Sequence, residues 1–364
     1  MNAKVVVALA LALPAADADG APWLELPQDH AAHEEMPLEW WTFTGHVERA
    51  GGGWYAYQVV FHRVDVDTAV TADADHRWMF RSVYPASIAL TDLTSGRFYS
   101  ASTVDRDGAG TSRVSSDAAE IQYRAWSARH DGTAWTIVAA GDSLALELRL
   151  EPVKAPVAIG SDGIMTASEE QTLAWRYALP RLRTAGTIRA GRETFDVSGD
   201  SWMEHVYGHA FARNGEEGWD VLNLQLRDGA ELSLYRFRSA PGRSERRTGG
   251  VYISAAGLVM RLETLTTRFY PVGANRWVST ETRRSYPMRW RAEIPALSIR
   301  LDVTCTPRHQ ELATYETHGA AFWRGSVEAS GSRGDLRVSG AGFLELVGYA
   351  GPFPVDVSEA TTMK

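Results

Sequence analysis

The feature that most constrains the fold of this chain is an alternation of apolar and polar side chains with a period of two residues. From Trp40 onward, short alternating runs are separated by turns rich in Asp and Gly. The runs at 40–47 and 54–63 are joined by Gly51–Gly53, which is typical of a β-hairpin. No segment shows the long period of 3.6 residues expected of an amphipathic helix. The sequence therefore predicts an all-β protein with little helix.

A hairpin led by tryptophan recurs in the second half of the chain. The first copy begins at Trp41, and the second runs from Trp219 through the turn at 227–229 to a strand at 231–238. Two tandem antiparallel barrels or strongly curved sheets explain this repeat most simply, because curling or closing a long sheet limits its exposed edges. We place an N-terminal β-domain at 24–198 and a C-terminal β-domain at 199–364.

Length and charge limit the classes of partner. The chain has 364 residues, enough for one large or two ordinary domains with their own cores. Its 45 acidic residues outnumber 37 basic ones, and no basic stripe is visible. Because nucleic-acid surfaces need such a stripe, we expect no nucleic-acid partner.

The first twenty residues have the order of a secretory signal peptide. Lys4 precedes a short apolar run at 5–13, and small residues follow at 14–20. The run is too short to span a bilayer. We expect residues 1–20 to be removed near Ala16–Ala21 and the protein to be periplasmic or secreted, the alternative being an N-terminal tail. The single cysteine, Cys305, lies in an alternating run and is expected to be a buried strand residue.

The segment 197–211 and the strand that follows at 218–226 concentrate acid, base and aromatic side chains. If the second segment is a strand, Asp220 shares a face with Leu222 and Leu224, whereas Trp219 lies on the other face. Burial without a cation would raise the pKa of Asp220 toward that of a general acid, and pairing with a cation would keep it ionised. The pattern also fits a packing corner whose charges face water.

Other chemistries lack their motifs. His205 and His209 have no third ligand nearby, as a zinc site would require, so we expect no metal. The serine-hydrolase elbow, the phosphate-binding loop and the dinucleotide-binding turn are not found in the sequence. We therefore expect no cofactor.

Four motifs resemble those of the AttH/CrtC family, whose lipocalin-like members include carotenoid 1,2-hydratases and kievitone hydratase. GxSWMEHxxG at 199–208 and GWD at 218–220 resemble the family signature. PLEWWTFTG at 37–45 resembles its first strand, and GFLELVGY at 342–349 resembles its closing strand. The sequence departs from the family pattern at Glu204, Tyr207 and Ser87, where the family commonly has Asp, Trp or Phe, and His.

The resemblance implies two tandem lipocalin-like domains and an apolar ligand such as an isoprenoid, carotenoid or lipid, with contact to a membrane surface. One reading is a hydratase in which a carboxylic acid protonates a C=C bond and aromatic faces stabilise the cation. The alternative is a carrier without activity or a pericyclic cyclisation enzyme. The candidate catalytic residues are Asp220, Glu204, His205 and Tyr207, and the candidate substrate-binding residues are Trp40, Trp41, Trp202, Trp219 and Glu345.

Overall fold

Strands dominate the structure, a computed structural model that describes residues 23–65, 81–108, 110–160, 164–168, 171–211, 216–239, 247–318 and 320–351. In this part of the chain, helical structure is limited to short turns at Gln28–His30 and Pro295–Leu297 and to the single-turn helix α1, Tyr315–His318. None of the helices in the described ranges is long and apolar enough to cross a membrane. The predicted all-β class is therefore confirmed, whereas the predicted signal peptide, 1–20, lies outside the described residues.

The first sheet is antiparallel and contains 13 strands. Its strands are β1 Leu38–Arg49, β2 Trp54–Asp65, β3 Ser82–Asp92, β4 Phe98–Arg106, β5 Ser112–Val114, β6 Glu120–Tyr123, β7 Trp126–His130, β8 Trp135–Ala140, β9 Leu144–Pro152, β10 Val157–Ala158, β11 Ile164–Ser168, β12 Gln171–Ala190 and β13 Glu193–Gly208. Along the sheet the order is β4-β3-β2-β1-β13-β12-β9-β8-β7-β6-β5, with β10 and β11 added beside β12.

The second sheet contains ten strands in the same kind of order. They are β14 Glu216–Leu226, β15 Glu231–Ser239, β16 Thr248–Ile253, β17 Val259–Leu262, β18 Arg268–Pro271, β21 Arg289–Ile294, β22 Ile299–Cys305, β23 Glu311–Thr314, β24 Ala320–Arg333 and β25 Leu336–Leu346, with a separate ribbon of β19 Arg276–Val278 and β20 Ser285–Pro287. The order is β17-β16-β15-β14-β25-β24-β22-β21-β18, and β23 pairs with β24.

Each sheet curls until its two edge strands approach each other. In the first sheet, the edges β4 and β5 are consecutive in the chain, and Ser112 Oγ donates to Asp105 Oδ2 at 2.6 Å between them. In the second sheet, the edges β17 and β18 are also consecutive, and Leu262 and Phe269 belong to one buried cluster. Curling brings the edges together and encloses an apolar interior, as in lipocalin-like proteins.

The internal duplication predicted from the hairpins is present in the topology. In both sheets the first four strands form a meander, the chain crosses from one edge to the other, and the last strand pairs with the first. β1 pairs with β13, and β14 pairs with β25. The hairpins β1–β2 and β14–β15 therefore occupy equivalent places.

The chain passes from the first sheet to the second at a later residue than the sequence analysis predicted. The predicted boundary at 198/199 falls inside β13, which continues to Gly208 as a full member of the first sheet. The second sheet begins at Glu216. The motif at 199–208 therefore belongs to the first sheet, because its residues pair with β1 and β12 along its whole length.

Side chains of the two sheets form three layers. Each curled sheet has its own apolar interior, and the outer faces of the two sheets pack against each other. The layer between them contains both apolar and polar contacts; for example, Gln58 Nε2 donates to the main chain of Arg324, and His46 bonds to Ser326. Cys305 is buried in a strand of the second interior, as predicted.

Candidate functional site

The side chains predicted for one site are divided among three places. Trp41, His205 and Tyr207 lie inside the first sheet, and Asp220 lies inside the second. The remaining five lie between the sheets, and they are Trp40, Trp202, Glu204, Trp219 and Glu345. The expected convergence of Asp220 with Glu204, His205 or Tyr207 in one pocket is therefore not found.

Strand parity explains this division. In β13, His205 points into the first sheet, whereas its neighbour Glu204 points toward the second sheet and accepts a hydrogen bond from Asn223. In β14, Asp220 points into the second sheet, whereas Trp219 points back toward the first. The predictions that Glu204 and His205 lie on opposite faces, and that Trp219 and Asp220 do, are confirmed.

The residues inside the first sheet surround the carboxylate of Glu39, to which the sequence analysis assigned no role. Glu39 is fully buried, and its Oε1 accepts hydrogen bonds from His205 Nε2 and His33 Nδ1, each at 2.9 Å. Its Oε2 accepts a bond from Arg63 Nε at 3.1 Å. Arg63 is the residue that β2 places directly opposite Glu39. The main-chain N–H of His33 also donates to the carboxylate, which is thus satisfied by three basic side chains and one main-chain group.

These contacts set the charges of the group. Burial opposes ionisation of Glu39, but the hydrogen bonds from His205 and His33 outweigh it and lower the pKa of Glu39 to about 2. Burial also opposes a charged His33, yet its bonds to Asp29 and Glu39 raise the pKa of His33 to about 9. Burial lowers the pKa of His205 in spite of Glu39. At neutral pH the group therefore contains an ionised Glu39 and a charged His33.

The same group has the only geometry in the described ranges that could hold a metal ion. One ligand atom from each of His33, Glu39 and His205 lies within 4.8 Å of the others. Arg63 already occupies one oxygen of Glu39, and His33 is itself charged. Two positive charges oppose a further cation, so the arrangement fits a structural hydrogen-bond network better than a metal centre. His209, in contrast, is exposed and takes no part.

Between the sheets, two glutamates are held by arginines. Arg176 Nη2 donates to Glu204 at 2.6 Å, and both side chains are buried. Glu345 accepts a bond from Trp219 Nε1 at 2.6 Å and pairs with Arg324. An aromatic cluster adjoins this pair, with Phe211 in edge-on contact with Trp219 at 5.0 Å and with Trp40 at 5.2 Å. Trp202 packs on Val251 and Ile253 of the second sheet. The five predicted residues thus join the two sheets.

Inside the second sheet, Asp220 is fully buried beside two arginines. Arg238 Nη1 donates to its Oδ1 at 2.5 Å, and Arg236 Nη1 lies 3.6 Å from its Oδ2. Neither Asp220 Oδ2 nor Arg236 Nη1 has a hydrogen-bond partner among the described residues. Burial is the largest influence and raises the pKa of Asp220 to about 6, although Arg238, Arg236 and Tyr349 all favour the ionised form. Asp220 is therefore a carboxyl group that is partly protonated near neutral pH.

Sequence reasoning did not assign Glu39, Arg63, Arg236 or Arg238 to a site. Glu39 stands in the EWW segment, and the register of a hairpin turned at Gly51–Gly53 places it opposite Arg63. The same argument places Arg236 opposite Asp220. Hairpin register was thus the available signal. His33 could not be found in this way, because it comes from the irregular segment before β1.

Three solved structures share this architecture over most of their length. An AttH protein from Nitrosomonas europaea is 23% identical, with a TM-score of 0.78 over 90% of this chain and 97% of that one. Kievitone hydratase from Nectria haematococca is 17% identical, with a TM-score of 0.70 over 91% and 94%. A complex of CghA with Sch210972 is 14% identical, with a TM-score of 0.53 over 85% and 88%. At these identities the likeness shows a shared fold.

The family follows from the sequence match. No curated protein matches the chain. The family model described as AttH-like matches residues 17–349, which includes both sheets and all four motifs. The protein therefore belongs to the AttH-like family.

Proposed function

We propose that this protein is a cofactor-independent hydratase that adds water to a C=C bond of an apolar isoprenoid or carotenoid-like molecule. The observation that carries the proposal is the carboxyl group of Asp220, which is fully buried, has a pKa raised to about 6, and has an oxygen without a hydrogen-bond partner among the described residues. Membership of the AttH-like family and the fold shared with kievitone hydratase support the same class of reaction.

Asp220 is the proton donor in this proposal. A buried carboxyl with a pKa near the working pH is present in its acid form often enough to transfer a proton, and a positioned acid contributes about 10²–10⁴-fold in rate. Glu39 is the less suitable acid because its pKa is lowered to about 2. Glu204 and Glu345 lie between the two sheets rather than in an apolar interior, and each already accepts bonds from an arginine and one further donor. Asp220 therefore has the best chemical state for this role.

Arg236 positions the water. A single oxygen atom can bond both Asp220 Oδ2 and Arg236 Nη1 at about 2.8 Å, because these atoms are 3.6 Å apart. The acid proton of Asp220 passes to one alkene carbon, and the water oxygen attacks the other. The proton that water then loses returns to the Asp220 carboxylate. The reaction thus balances without any further reactant.

The surroundings suit an apolar substrate. Asp220 shares the interior with leucines of β14 and β25, and the Trp290 ring lies 5.9 Å from the Arg236 guanidinium. The side chains of Arg236 and Arg238 are 17% and 18% exposed, so they lie between Asp220 and solvent. The rings of Trp290 and Tyr349 face the guanidinium groups of Arg236 and Arg238, and this cation–π contact helps to hold the two arginines beside Asp220.

The decisive experiment is incubation with an acyclic carotenoid such as lycopene in ¹⁸O-labelled water. We expect a hydroxylated product that carries the label. Asp220→Asn should lower the rate by about 10²–10⁴-fold while substrate binding is retained, because the amide keeps the shape but cannot deliver the proton. Asp302→Asn is the matched control, since Asp302 lies on the same sheet in an exposed pair with Arg291.

Each other result would redirect the proposal. Binding without labelled product indicates a carrier, and a rearranged product without label indicates a cyclisation enzyme. Equal rates for Asp220→Asn and wild type would remove Asp220 from the mechanism. The rate should also fall as the pH rises through about 6, since the acid form of Asp220 is lost there.

Export and contact with a membrane surface complete the proposal. The charge, apolar run and small residues of the first twenty positions support export. Mass spectrometry of the N-terminus after expression in the native host should find a chain that starts near Ala16–Ala21. An intact Met1 on cytoplasmic protein would contradict export.

A further inference from the structure

The end of the first sheet is occupied by the chain itself. The segment 23–37, here called the N-terminal plug, precedes β1 and reaches into the sheet. Its residue His30 is buried against Trp135 and Tyr177, with ring centroids 5.4 and 5.7 Å away. His33 stacks on Tyr207 at 3.5 Å and bonds to Glu39. The plug therefore fills the place where the inward side chains of β1, β12 and β13 meet.

Inward side chains hold the plug mainly by its carbonyl oxygens. Trp41 Nε1 donates to the carbonyl of His30 at 3.2 Å, and Tyr177 Oη donates to that of Asp29 at 3.0 Å. His205 Nδ1 lies 2.9 Å from the same Asp29 oxygen.

Arg63 serves two further carbonyls of the plug. Its Nη2 donates to that of His33 at 2.7 Å and also to that of Met36. Together, Trp41, Tyr177 and Arg63 thus donate hydrogen bonds to a row of carbonyl acceptors.

Main-chain pairing between the plug and the sheets is sparse. In the described ranges it consists of Ala32 N to the Ser115 carbonyl at 2.9 Å and Asp65 N to the Pro37 carbonyl at 2.8 Å. The first of these is in the middle of the plug and the second is at its junction with β1. The side chain of His33 is 15% exposed, so the rim of the plug reaches solvent. A segment held mostly by side chains can leave without disturbing a strand ladder.

The equivalent place in the second sheet is filled differently. Asp220 and Arg236 correspond to Glu39 and Arg63, because each pair lies directly opposite on the first hairpin of its sheet. Glu39 receives bonds from the plug, whereas Asp220 Oδ2 and Arg236 Nη1 have no hydrogen-bond partner in the described part of the chain. The plug thus occupies, in the first sheet, the place that is equivalent to the proposed substrate site in the second sheet.

We propose that the end of the first sheet is a second ligand site, closed by the N-terminal plug, for an apolar small molecule that carries a carbonyl oxygen. Once the plug has left, the ligand would accept hydrogen bonds from Trp41, Tyr177 and Arg63 in place of its carbonyls. Glu39 balances the charge of Arg63, so the site favours a neutral ligand. The inference rests on the proposed function only in taking the interior of a sheet as a place where ligands bind.

The test is the number of molecules of a fluorescent ketone, 6-propionyl-2-(dimethylamino)naphthalene, that bind to each protein chain. We expect one in wild type and two in the double variant Trp23→Ala/His33→Ala, in which the plug loses its contacts with Tyr207 and Glu39. Gln28→Ala is the matched control, because Gln28 lies in the plug with an exposed side chain and should bind as wild type does. Isothermal titration gives the stoichiometry.

The donors can be tested in the same background. Adding Trp41→Phe removes one N–H donor and keeps an aromatic ring, so affinity at the additional site should fall at least fivefold. His33→Ala alone serves as the milder variant, and near-ultraviolet circular dichroism verifies that each protein is folded. A folded plug variant that binds the same number of molecules as wild type overturns this inference.

The two proposals fail in different ways. If wild type binds none and the plug variant binds one, the first-sheet site stands and the proposed second-sheet site for this class of ligand fails. If wild type and the plug variant each bind one molecule per chain, the second-sheet site stands and the first-sheet site is rejected.

Discussion

The hairpins β1–β2 and β14–β15 occupy equivalent places in their sheets, and each contains one buried acid. The pKa values of these two acids are shifted in opposite directions. Glu39 lies opposite Arg63, and Asp220 lies opposite Arg236. The pKa of Glu39 is lowered to about 2, whereas the pKa of Asp220 is raised to about 6. An arginine across the hairpin therefore does not by itself decide whether a buried acid is ionised.

The neighbouring strand makes the difference. The last strand of the first sheet places Tyr207 directly opposite Glu39, with His205 two residues before it. In the second sheet, Leu346 is opposite Asp220, and Leu344 is the residue two positions before. A histidine donor favours the carboxylate, and leucine neighbours only remove water from it. His205 on this strand, together with His33 of the N-terminal plug, thus separates a structural acid from a candidate catalytic one.

The largest expected effect comes from removing the charge of Glu39. Glu39→Gln removes the fully buried carboxylate that Arg63 and His33 share and leaves them only their outer partners, Asp65 and Asp29, so we expect a loss of about 3 kcal/mol in the free energy of unfolding. Asp220→Asn at pH 7.5 should cost much less, since the amide removes a carboxylate that burial disfavours. Urea unfolding of both variants measures the difference. Equal losses would show that the two acids have the same role.

The pH dependence of stability should separate the two acids further. Because the folded-state pKa of Asp220 is raised, its contribution to stability is fully present below about pH 4 and is lost as the pH rises through about 6. Relative to Asp220→Asn, wild type should therefore lose up to about 3 kcal/mol between pH 4 and pH 7.5. Glu39 acts in the opposite direction: its contribution is lost as the pH falls from about 4.5 toward 2. Urea unfolding at several pH values tests this, and parallel curves for wild type and Asp220→Asn would contradict it.

Substitution of Gly218, two residues before Asp220, should have an intermediate effect on stability. A Cβ atom at Gly218 would lie 2.2 Å from the carbonyl oxygen of Val347 and 2.4 Å from Arg238 Nη2. Gly218→Ala should therefore displace Arg238 from Asp220 and cost about 1–3 kcal/mol. Thermal unfolding measures the cost, and a titration of hydratase rate against pH detects the altered acid. Gly257→Ala is the comparison, because its Cβ would meet nothing within 4 Å, so any cost there comes from its φ of 87° and not from a clash.

The smallest effect is expected for an acid and arginine pair on the outside of the second sheet. Arg291 lies opposite Asp302 on neighbouring strands, as Arg236 lies opposite Asp220, but Asp302 is exposed. Arg291→Met should change the free energy of unfolding by about 0.5 kcal/mol or less. Urea unfolding checks this value. A loss as large as that of Arg236→Met would show that burial is not what distinguishes the pairs.

Much of the fold could be predicted from the sequence because a strand period of two is a local property. Alternation identified the all-β class, and the repeated hairpin identified the duplication that the topology confirms. The boundary at 198/199 was placed too early because the motif residues from Gly199 to Gly208 were treated as a junction. Their pairing with β1, some 160 residues earlier, makes them part of a strand, and that pairing has no local signal.

The candidate site was predicted less well for a related reason. The alternation of side chains along one strand correctly predicted that Asp220 and Trp219 lie on opposite faces, and that Glu204 and His205 do. Convergence of different strands depends on how the sheets curl, and the sequence does not encode this in any short pattern. The motif at 199–208 therefore supplies residues to two layers, and its acid and base serve different neighbours.

The pairing of first and last strands has a consequence for the synthesis of the protein. β1 cannot acquire its partner β13 until the ribosome has added the roughly 150 residues between them, which takes on the order of ten seconds at ordinary rates of translation. During that interval one side of β1, with Trp40 and Trp41, is an open template for other strands. The second sheet repeats the delay with β14 and β25. Each half of the chain therefore passes through a period in which its own sheet does not yet cover that edge.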